Sequence, residues 1–335
     1  MSNAIRADKH IKNQPALRLV STRGLDRESW LEVRMGGIGG SDAAAAVGLN
    51  PYKSMLELWL EKTGRDATLE KPDPNDTTHP TYWGTLLEPI VAAAYTKQTG
   101  NRVRKVNAVL QHPTVGYMLA NLDREIVGAT GIHILECKTA GEFGSRLWRD
   151  GVPEYVQIQV QHQLAVTGKQ AADVAVLLCG QKLDVHRIDR DEELIARLIE
   201  LEARFWQYVQ TDTPPPADGS ESADRALRCL FPRDAGTTVD FSDDRSLSTA
   251  FAEFVTVRAE IETREQLEAT LKQTLQEAMG EASRAIFEAG EVSFKRSKDS
   301  SGVDLKKLLD DHPELQQQYA ITKPGSRRLS RAVVN

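Results

Sequence analysis

The spacing of hydrophobic positions changes along this chain from helical to strand-like and back. Apolar side chains at helical spacing predict helices over residues 26–34, 51–64, 83–100, 156–166 and 191–210. Alternating or short apolar runs predict strands over residues 102–111, 117–123, 132–138, 173–179 and 184–188. Ser41 and Asp42 open a further, alanine-rich helix. This order of helices, strands and a helix between strands predicts an α/β sheet flanked by helices.

Polar and proline-rich stretches divide the chain into four predicted regions. These are a weakly ordered arm (1–25), a core (26–212), a stiff linker (213–245) and a helical C-terminal region (246–335). Within the last region, the apolar spacing over 246–289 predicts one long helix or an antiparallel pair. The tail after Glu314 is basic, with Lys323, Arg327, Arg328 and Arg331.

Composition narrows the class of protein. The 335 residues fit one large domain with an accessory region, and 40% apolar residues suffice for a core. The net charge of −6 argues against a general DNA coat, but a nucleic-acid enzyme needs only a local basic patch. Three separated cysteines without a C-x-x-C motif argue against a structural zinc site and fit a reducing cytoplasm. No apolar run approaches a membrane span, and no secretion signal is visible.

The segment from Asp123 to Lys138 carries the strongest chemical signal. Asp123 ends an apolar run, a glycine-containing turn follows, and the next strand carries Glu136 and Lys138. Alternation places Glu136 and Lys138 on one side of that strand, and a hairpin would bring Asp123 beside them. Two carboxylates and an ammonium suit Mg²⁺-assisted phosphodiester cleavage. The alternative is a strand-end acid and a surface ion pair.

Two further polar sets are candidates for the same site. Glu88 precedes Pro89 at the predicted start of a helix and would point at the sheet; alternatively, it interacts with the helix dipole. Four glutamines alternate over 157–163, so that Gln157 and Gln161 share one helical face and Gln159 and Gln163 another. Their amides can bind water or phosphate, or they can form an ordinary polar face.

A glycine-rich turn, residues 36–40, precedes Ser41 and resembles a phosphate cradle. Glycines let backbone N–H groups approach an anion, and Arg34 lies seven residues before Ser41. The turn is neither a P-loop nor a dinucleotide fingerprint. The alternative is a simple corner between two helices.

Six segments together resemble the YqaJ-like phage recombinase family, which includes lambda exonuclease and has the restriction-endonuclease-like PD-(D/E)xK fold. They occur in family order within about residues 26–210: Trp30–Arg34, Gly37–Asp42, Trp83–Glu88, Asn121–Asp123, Leu135–Lys138 and Pro153–Gln161. The resemblance implies a PD-(D/E)xK core, a mixed central sheet flanked by helices, with a C-terminal helical extension.

The resemblance also implies roles for individual residues. Asp123 and Glu136 would hold Mg²⁺, with Mn²⁺ as a substitute, and Glu88 would support a second ion or its water. Lys138 would orient or activate the attacking water, and Gln159 would lie in the catalytic pocket. The implied site for a 5′-terminal phosphate comprises Arg34, Ser41, Asn121 and Gln161.

The chain departs from the family pattern at two positions. Asn121 replaces a serine, which would alter end preference, and Leu122 replaces the proline of the motif. The region after Gly219 lies outside the match.

The predicted function is a Mg²⁺-dependent DNA exonuclease that digests duplex ends 5′→3′ in the bacterial host cytoplasm. A phage or prophage enzyme of this kind would supply overhangs to a strand-annealing protein and would form a homo-oligomer, with a trimeric ring as one form. The alternatives are a structure- or sequence-specific endonuclease of the same fold and a non-catalytic DNA-binding recombination scaffold.

Overall fold

The computed structural model describes residues 15–131, 133–322, 325, 327 and 329. The chain divides into two units between Pro232 and Arg233. The strands of the first unit are β1 Leu17–Ser21, β2 Arg102–Arg104, β3 Ala108–Gln111, β4 Leu119–Ala120, β5 Arg124–Val127, β6 Ile134–Ala140, β7 Ala171–Leu178 and β8 Lys182–Asp189. Its helices are α1 Arg27–Met35, α2 Gly40–Ala46, α3 Met55–Lys62, α4 Pro80–Thr99, α5 Glu154–Thr167, α6 Glu192–Gln210 and α7 Glu221–Leu230.

A mixed five-stranded sheet forms the centre of the first unit, in the order β2-β5-β6-β7-β8. β6 and β7 are parallel and are connected through α5, whereas the other neighbouring strands are antiparallel. The predicted fold class is confirmed: a mixed sheet flanked by helices, as in the restriction-endonuclease-like PD-(D/E)xK core.

Strand β6 shows how the sequence positions the two faces of the sheet. Ile134 packs in one apolar cluster with Leu164 of α5, and Leu135 packs in another with Tyr95 of α4. Because side chains alternate along a strand, Glu136 then projects to the face that α5 covers. An acid is therefore buried between a strand and a helix.

A smaller antiparallel sheet, in the order β1-β3-β4, includes residues that were predicted as part of a weakly ordered arm. That prediction is wrong for residues 17–21, which pair with β3. The strand is held by backbone pairing while most of its side chains stay exposed. Residues 1–14 lie outside the described residues.

Helix α7 lies within the segment that was predicted as a linker. The Ser222 hydroxyl accepts from the Ser54 backbone N–H at 2.7 Å and donates to Glu57 Oε2 at 2.6 Å, which ties α7 to α3. The linker prediction is therefore wrong for residues 221–230, because short tertiary hydrogen bonds and an apolar contact order a segment of polar composition.

The second unit begins with one long helix, α8 Arg245–Met279. It is followed by the antiparallel hairpin β9 Arg284–Phe287 and β10 Gly290–Ser293, and by the helices α9 Leu305–Asp311 and α10 Pro313–Gln318. Of the two predicted forms, the single helix is observed, but it ends at Gly280. Of the basic tail, Lys323, Arg328 and Arg331 lie outside the described residues. Among the described helices, none combines the length and apolar character that a membrane crossing requires.

Candidate active site

A cleft of about 490 Å³ in the first unit gathers most of the predicted site residues. Eight of them line it: Arg34, Ser41, Glu88, Asn121, Asp123, Glu136, Lys138 and Gln159. The cleft therefore combines the predicted carboxylates with three of the four predicted phosphate-binding residues in one opening.

Asp123 and Glu136 are brought together by the pairing of two strands. The register pairs Arg124 of β5 with Leu135 of β6, so the preceding Asp123 lies across from Glu136. The Cys137 backbone N–H donates to Asp123 Oδ2 at 2.8 Å and fixes the aspartate against β6. The structure thus has the arrangement that the hairpin prediction required.

Glu136 is held by side chains on both of its oxygens. Lys138 Nζ lies 2.7 Å from Glu136 Oε1, and the Gln159 amide donates to the same oxygen at 2.6 Å. The Gln163 amide donates to Glu136 Oε2 at 2.8 Å. Lys138 also donates to Gln159 Oε1 at 2.9 Å. A strand and one face of α5 therefore fix the carboxylate plane and place a cation beside it.

The charges in the cleft perturb one another because solvent is largely excluded. Burial, and then repulsion by Glu136, raises the pKa of Asp123 to about 8. For Lys138, burial opposes the charged form, but attraction to Glu136 outweighs it and raises the pKa. Asp123 and Glu136 are thus two buried acids held close together. A cation bound between them would stabilise both.

The donor set of the cleft fits a hard divalent cation. Among the described residues, no three His, Cys, Asp or Glu side chains converge as a metal site. A pair of carboxylates is nevertheless sufficient for Mg²⁺, which usually keeps several water ligands and binds through one or two carboxylates plus substrate phosphates. Asp123 and Glu136 are the residues that would hold it.

Glu88 lies in the cleft wall, but not at the start of its helix. Helix α4 begins at Pro80, with His79 as its N-cap, so Glu88 is in the helix interior and the predicted start is wrong. The Arg124 guanidinium donates to the Glu88 carboxylate and also to the Asp123 backbone carbonyl. Glu88 is therefore paired with an arginine at the edge of the carboxylate site.

The side of the cleft that carries the predicted phosphate-binding residues is organised around Arg34. Its guanidinium stacks on Trp30, with 4.8 Å from Arg34 Cζ to the ring centroid. The same group donates to Ser41 Oγ at 2.9 Å and to Asp42 Oδ1 at 2.8 Å. Lys62 Nζ donates to the other Asp42 oxygen at 2.7 Å. The arginine is consequently held in one position before any ligand arrives.

Asp42 is a buried counter-ion for two cations. Burial would raise the pKa of Asp42, but the Arg34 and Lys62 charges outweigh this effect and hold it well below its usual range. One carboxylate against two cations leaves a net positive charge in this cluster, and of the three groups Arg34 is the one that lines the cleft, where it suits an anionic ligand.

Gln161 does not reach the cleft, and its predicted phosphate-binding role is wrong. It is 4% exposed. Its amide donates to the Asp189 carbonyl at 2.8 Å, and its Oε1 accepts from the Asp191 N–H at 3.1 Å. Both polar ends of the glutamine are used to tie α5 to the junction between β8 and α6.

The sequence interpretation missed three residues that shape the site, Asp42, Lys62 and Arg124, and it named Gln163 among the four glutamines without giving it a role of its own. Gln163 had a usable signal, since it lies one helical turn beyond Gln159 and shares its face. The pairing of Asp42 with Lys62 joins residues 20 positions apart on separate helices, and no local pattern indicates it.

Comparison with known proteins covers the segments that carry the cleft. Residues 29–170 match the YqaJ-like viral recombinase domain. Over 306 residues, the chain is 33% identical to the YqaJ protein of Bacillus subtilis (strain 168), covering 90% of this chain and 92% of that protein.

Two solved structures are similar over about half of the chain. The alkaline exonuclease LHK-Exo of Laribacter hongkongensis matches 55% of this chain and 93% of its own, at 23% identity and a TM-score of 0.45. A phage-related exonuclease of Haemophilus somnus 129PT matches 52% of this chain and 96% of its own, at 12% identity and a TM-score of 0.39.

Proposed function

Because this chain belongs to the YqaJ-like viral recombinase family and is a nuclease, we propose that it is a Mg²⁺-dependent DNA exonuclease that digests double-stranded ends 5′→3′. One observation supports this proposal above all others. Asp123, Glu136 and Lys138 share a cleft with Arg34, Ser41 and Asn121. Groups suited to cleaving a phosphodiester thus lie beside groups suited to holding a DNA end.

The carboxylates supply the metal-binding part of the proposal. Asp123 and Glu136 would hold Mg²⁺ or, as a substitute, Mn²⁺, and Glu88 would support a second ion or its water ligands. When bound, such an ion stabilises charge on the phosphate and lowers the pKa of a coordinated water.

Lys138 and Gln159 supply the polar groups around the attacking water. Lys138 Nζ is held by Glu136 and by Gln159 Oε1, at 2.7 and 2.9 Å. A fixed ammonium at this position orients a water molecule and offsets the negative charge that develops on the phosphate, without reorganisation during the reaction.

Arg34, Ser41 and Asn121 supply the end recognition. The Arg34 guanidinium is already oriented by Trp30, Ser41 and Asp42, so little conformational entropy is lost when it binds an anion. A terminal phosphate carries more negative charge than an internal diester, so this part of the cleft favours a 5′ end. Each cleavage creates a new 5′ phosphate, which permits repeated capture and processive digestion.

The recombinase family supports a role in phage-type strand annealing. Digestion of one strand from a duplex end leaves a single-stranded overhang, which is the substrate of a single-strand-annealing protein. We extend the proposal to that partner, to a homo-oligomer such as a trimeric ring around the duplex, and to the bacterial host cytoplasm as the site of action.

A time course on linear duplex DNA tests the proposal. DNA labelled at the 5′ end should lose its label early and DNA labelled at the 3′ end late, and omission of the metal should stop both reactions. Covalently closed circular DNA should stay intact. Cutting of the circle would establish the endonuclease alternative, and no digestion of any substrate would leave the scaffold alternative.

A further inference from the structure

Gln163 contacts the proposed metal-binding carboxylate of Glu136 from the side that faces away from the cleft. Its amide nitrogen lies 2.8 Å from Glu136 Oε2, and the residue is 1% exposed. Gln159, one turn earlier, lines the cleft and contacts Oε1, whereas Gln163 does not line the cleft. Gln163 therefore cannot touch DNA, yet it holds the second oxygen of Glu136.

The oxygen of the Gln163 amide indicates that this residue does more than stabilise the fold. Its Oε1 is buried and has no hydrogen-bond partner among the described residues. A buried polar atom without a partner is unfavourable, and an apolar side chain of similar size would avoid that cost but would leave Glu136 Oε2 without its donor. The amide faces Glu136 with its nitrogen because a carboxylate can only accept.

Gly40 sets how closely α2 can approach this glutamine. A methyl group on Gly40 would lie 3.2 Å from Gln163 Cγ and 3.5 Å from Gln159 Cγ. Gly40 is the residue before Ser41, so the helix that carries Ser41 packs directly against the glutamines that hold Glu136. Any larger residue here would push on the support of the carboxylate.

We propose that Gln163 is a positioning residue that fixes Glu136 for a divalent cation, and that Gly40 provides the space for it. The inference rests on the proposed metal-dependent function. Polar groups that orient a metal ligand from outside the coordination sphere typically change metal affinity or activity by about 10–100-fold when removed.

Mn²⁺ binding without DNA, measured by calorimetry and by electron paramagnetic resonance, tests this role in the full-length protein. Gln163→Met should weaken Mn²⁺ binding by about 10–100-fold. Its melting temperature is measured beside the affinity, because the change removes a partnerless oxygen but also takes the donor away from Glu136 Oε2. The matched control is Gln161→Met on the same helix. Gln161 is also buried but bonds to the β8–α6 junction, so this variant should lose thermal stability and keep its Mn²⁺ affinity.

Gly40→Ala is a second test variant, in which the glutamines themselves are not substituted. It should weaken Mn²⁺ binding several-fold, and it decides the question if Gln163→Met fails to fold. Wild-type Mn²⁺ affinity in the folded Gln163→Met variant, or in Gly40→Ala if that variant alone folds, would overturn the role of Gln163 while leaving the proposed function intact. Failure of the unaltered protein to bind Mn²⁺ would overturn both.

Discussion

Lys138 Nζ lies 2.7 Å from Glu136 Oε1, and both residues belong to the same face of strand β6. We expect Lys138→Met to lower the cleavage rate by about 10²–10⁴-fold, the range for loss of a positioned catalytic group. Mn²⁺ binding should be retained, because the substitution removes a competing cation from Glu136. Lys182→Met, at an exposed lysine paired with Asp184, is the control and should cleave normally. Equal rates for both variants would remove Lys138 from the chemistry.

Loss of either carboxylate should stop cleavage without unfolding the protein. Asp123→Asn and Glu136→Gln keep the shape of each side chain but remove its charge, so divalent-ion binding should be lost. The control is Glu125→Gln on the adjoining strand, where the carboxylate pairs with exposed Arg104. Single-turnover cleavage and circular dichroism measure the two properties. Full activity in Asp123→Asn or Glu136→Gln would refute the metal assignment.

Arg34 should determine the preference for phosphorylated ends. We expect Arg34→Ala to lower the ratio of kcat/KM on 5′-phosphorylated duplexes to that on 5′-hydroxyl duplexes by about tenfold or more, as expected for a lost charge-assisted contact. Arg65 also stacks on a tryptophan, with 5.0 Å from Cζ to the Trp59 ring centroid, and makes Arg65→Ala the matched control. An unchanged ratio in Arg34→Ala would exclude Arg34 from end recognition.

Asp42 should stabilise the fold as well as orient Arg34. Asp42→Asn leaves the largely buried Arg34 and Lys62 without their counter-ion, so we expect a loss of about 3–5 kcal/mol in the free energy of unfolding. Asp66 forms a more exposed pair with Lys71, and Asp66→Asn should cost less than about 1 kcal/mol. Urea unfolding measures both changes. A similar, small effect in the two variants would contradict the counter-ion role.

The buried pair of His162 and Glu202 should make stability depend on pH. His162 Nδ1 lies 2.7 Å from Glu202 Oε1, and Nε2 lies 2.8 Å from the Leu119 carbonyl oxygen. Burial disfavours the charged imidazole, but Glu202 outweighs it and raises the pKa of His162. The unfolded value is about 6.5, so the pair contributes fully below that pH and its contribution is lost as pH rises through the folded value.

Comparison of the wild type with Glu202→Gln measures this contribution. The variant should be less stable by about 3–5 kcal/mol at pH 6, and the difference should shrink as the pH rises and His162 loses its proton in the wild type. Urea unfolding at several pH values gives both curves. A difference that grows with pH would contradict a charged His162 in the fold.

The parts of the site that were predictable depend on short-range geometry. Alternation along one strand is enough to place Glu136 and Lys138 on one side. A hairpin with a glycine-containing turn then restricts where Asp123 can lie. These relationships involve neighbouring positions in the sequence and do not require knowledge of what packs around them.

The orientation of helix α5 against the sheet was not predictable in the same way. The spacing showed that Gln159 and Gln163 share a face and that Gln161 lies on another, but not which face meets the sheet. That choice follows from the apolar residues Val160 and Leu164, which pack into a core assembled from distant strands. The prediction consequently placed Gln161 in the cleft, whereas it lies on another face of α5, at the β8–α6 junction.

Element boundaries were the other source of error. A histidine N-cap and a proline in the first turn start α4 at Pro80, three residues before the predicted Trp83, which moves Glu88 from a first turn to the interior. Similarly, the long C-terminal helix ends at Gly280, and the following residues form a hairpin. Caps and turns depend on single residues, which the average spacing of apolar positions does not register.

Cys137 contacts Asp123 through its backbone, since its amide N–H donates the hydrogen bond to the aspartate. The thiol points to the opposite face of the sheet, toward the cluster around α4. The side chain of the middle residue of the Glu-x-Lys triplet can therefore change to suit its packing without disturbing the aspartate. Proline alone, having no N–H to give, would be barred from that position.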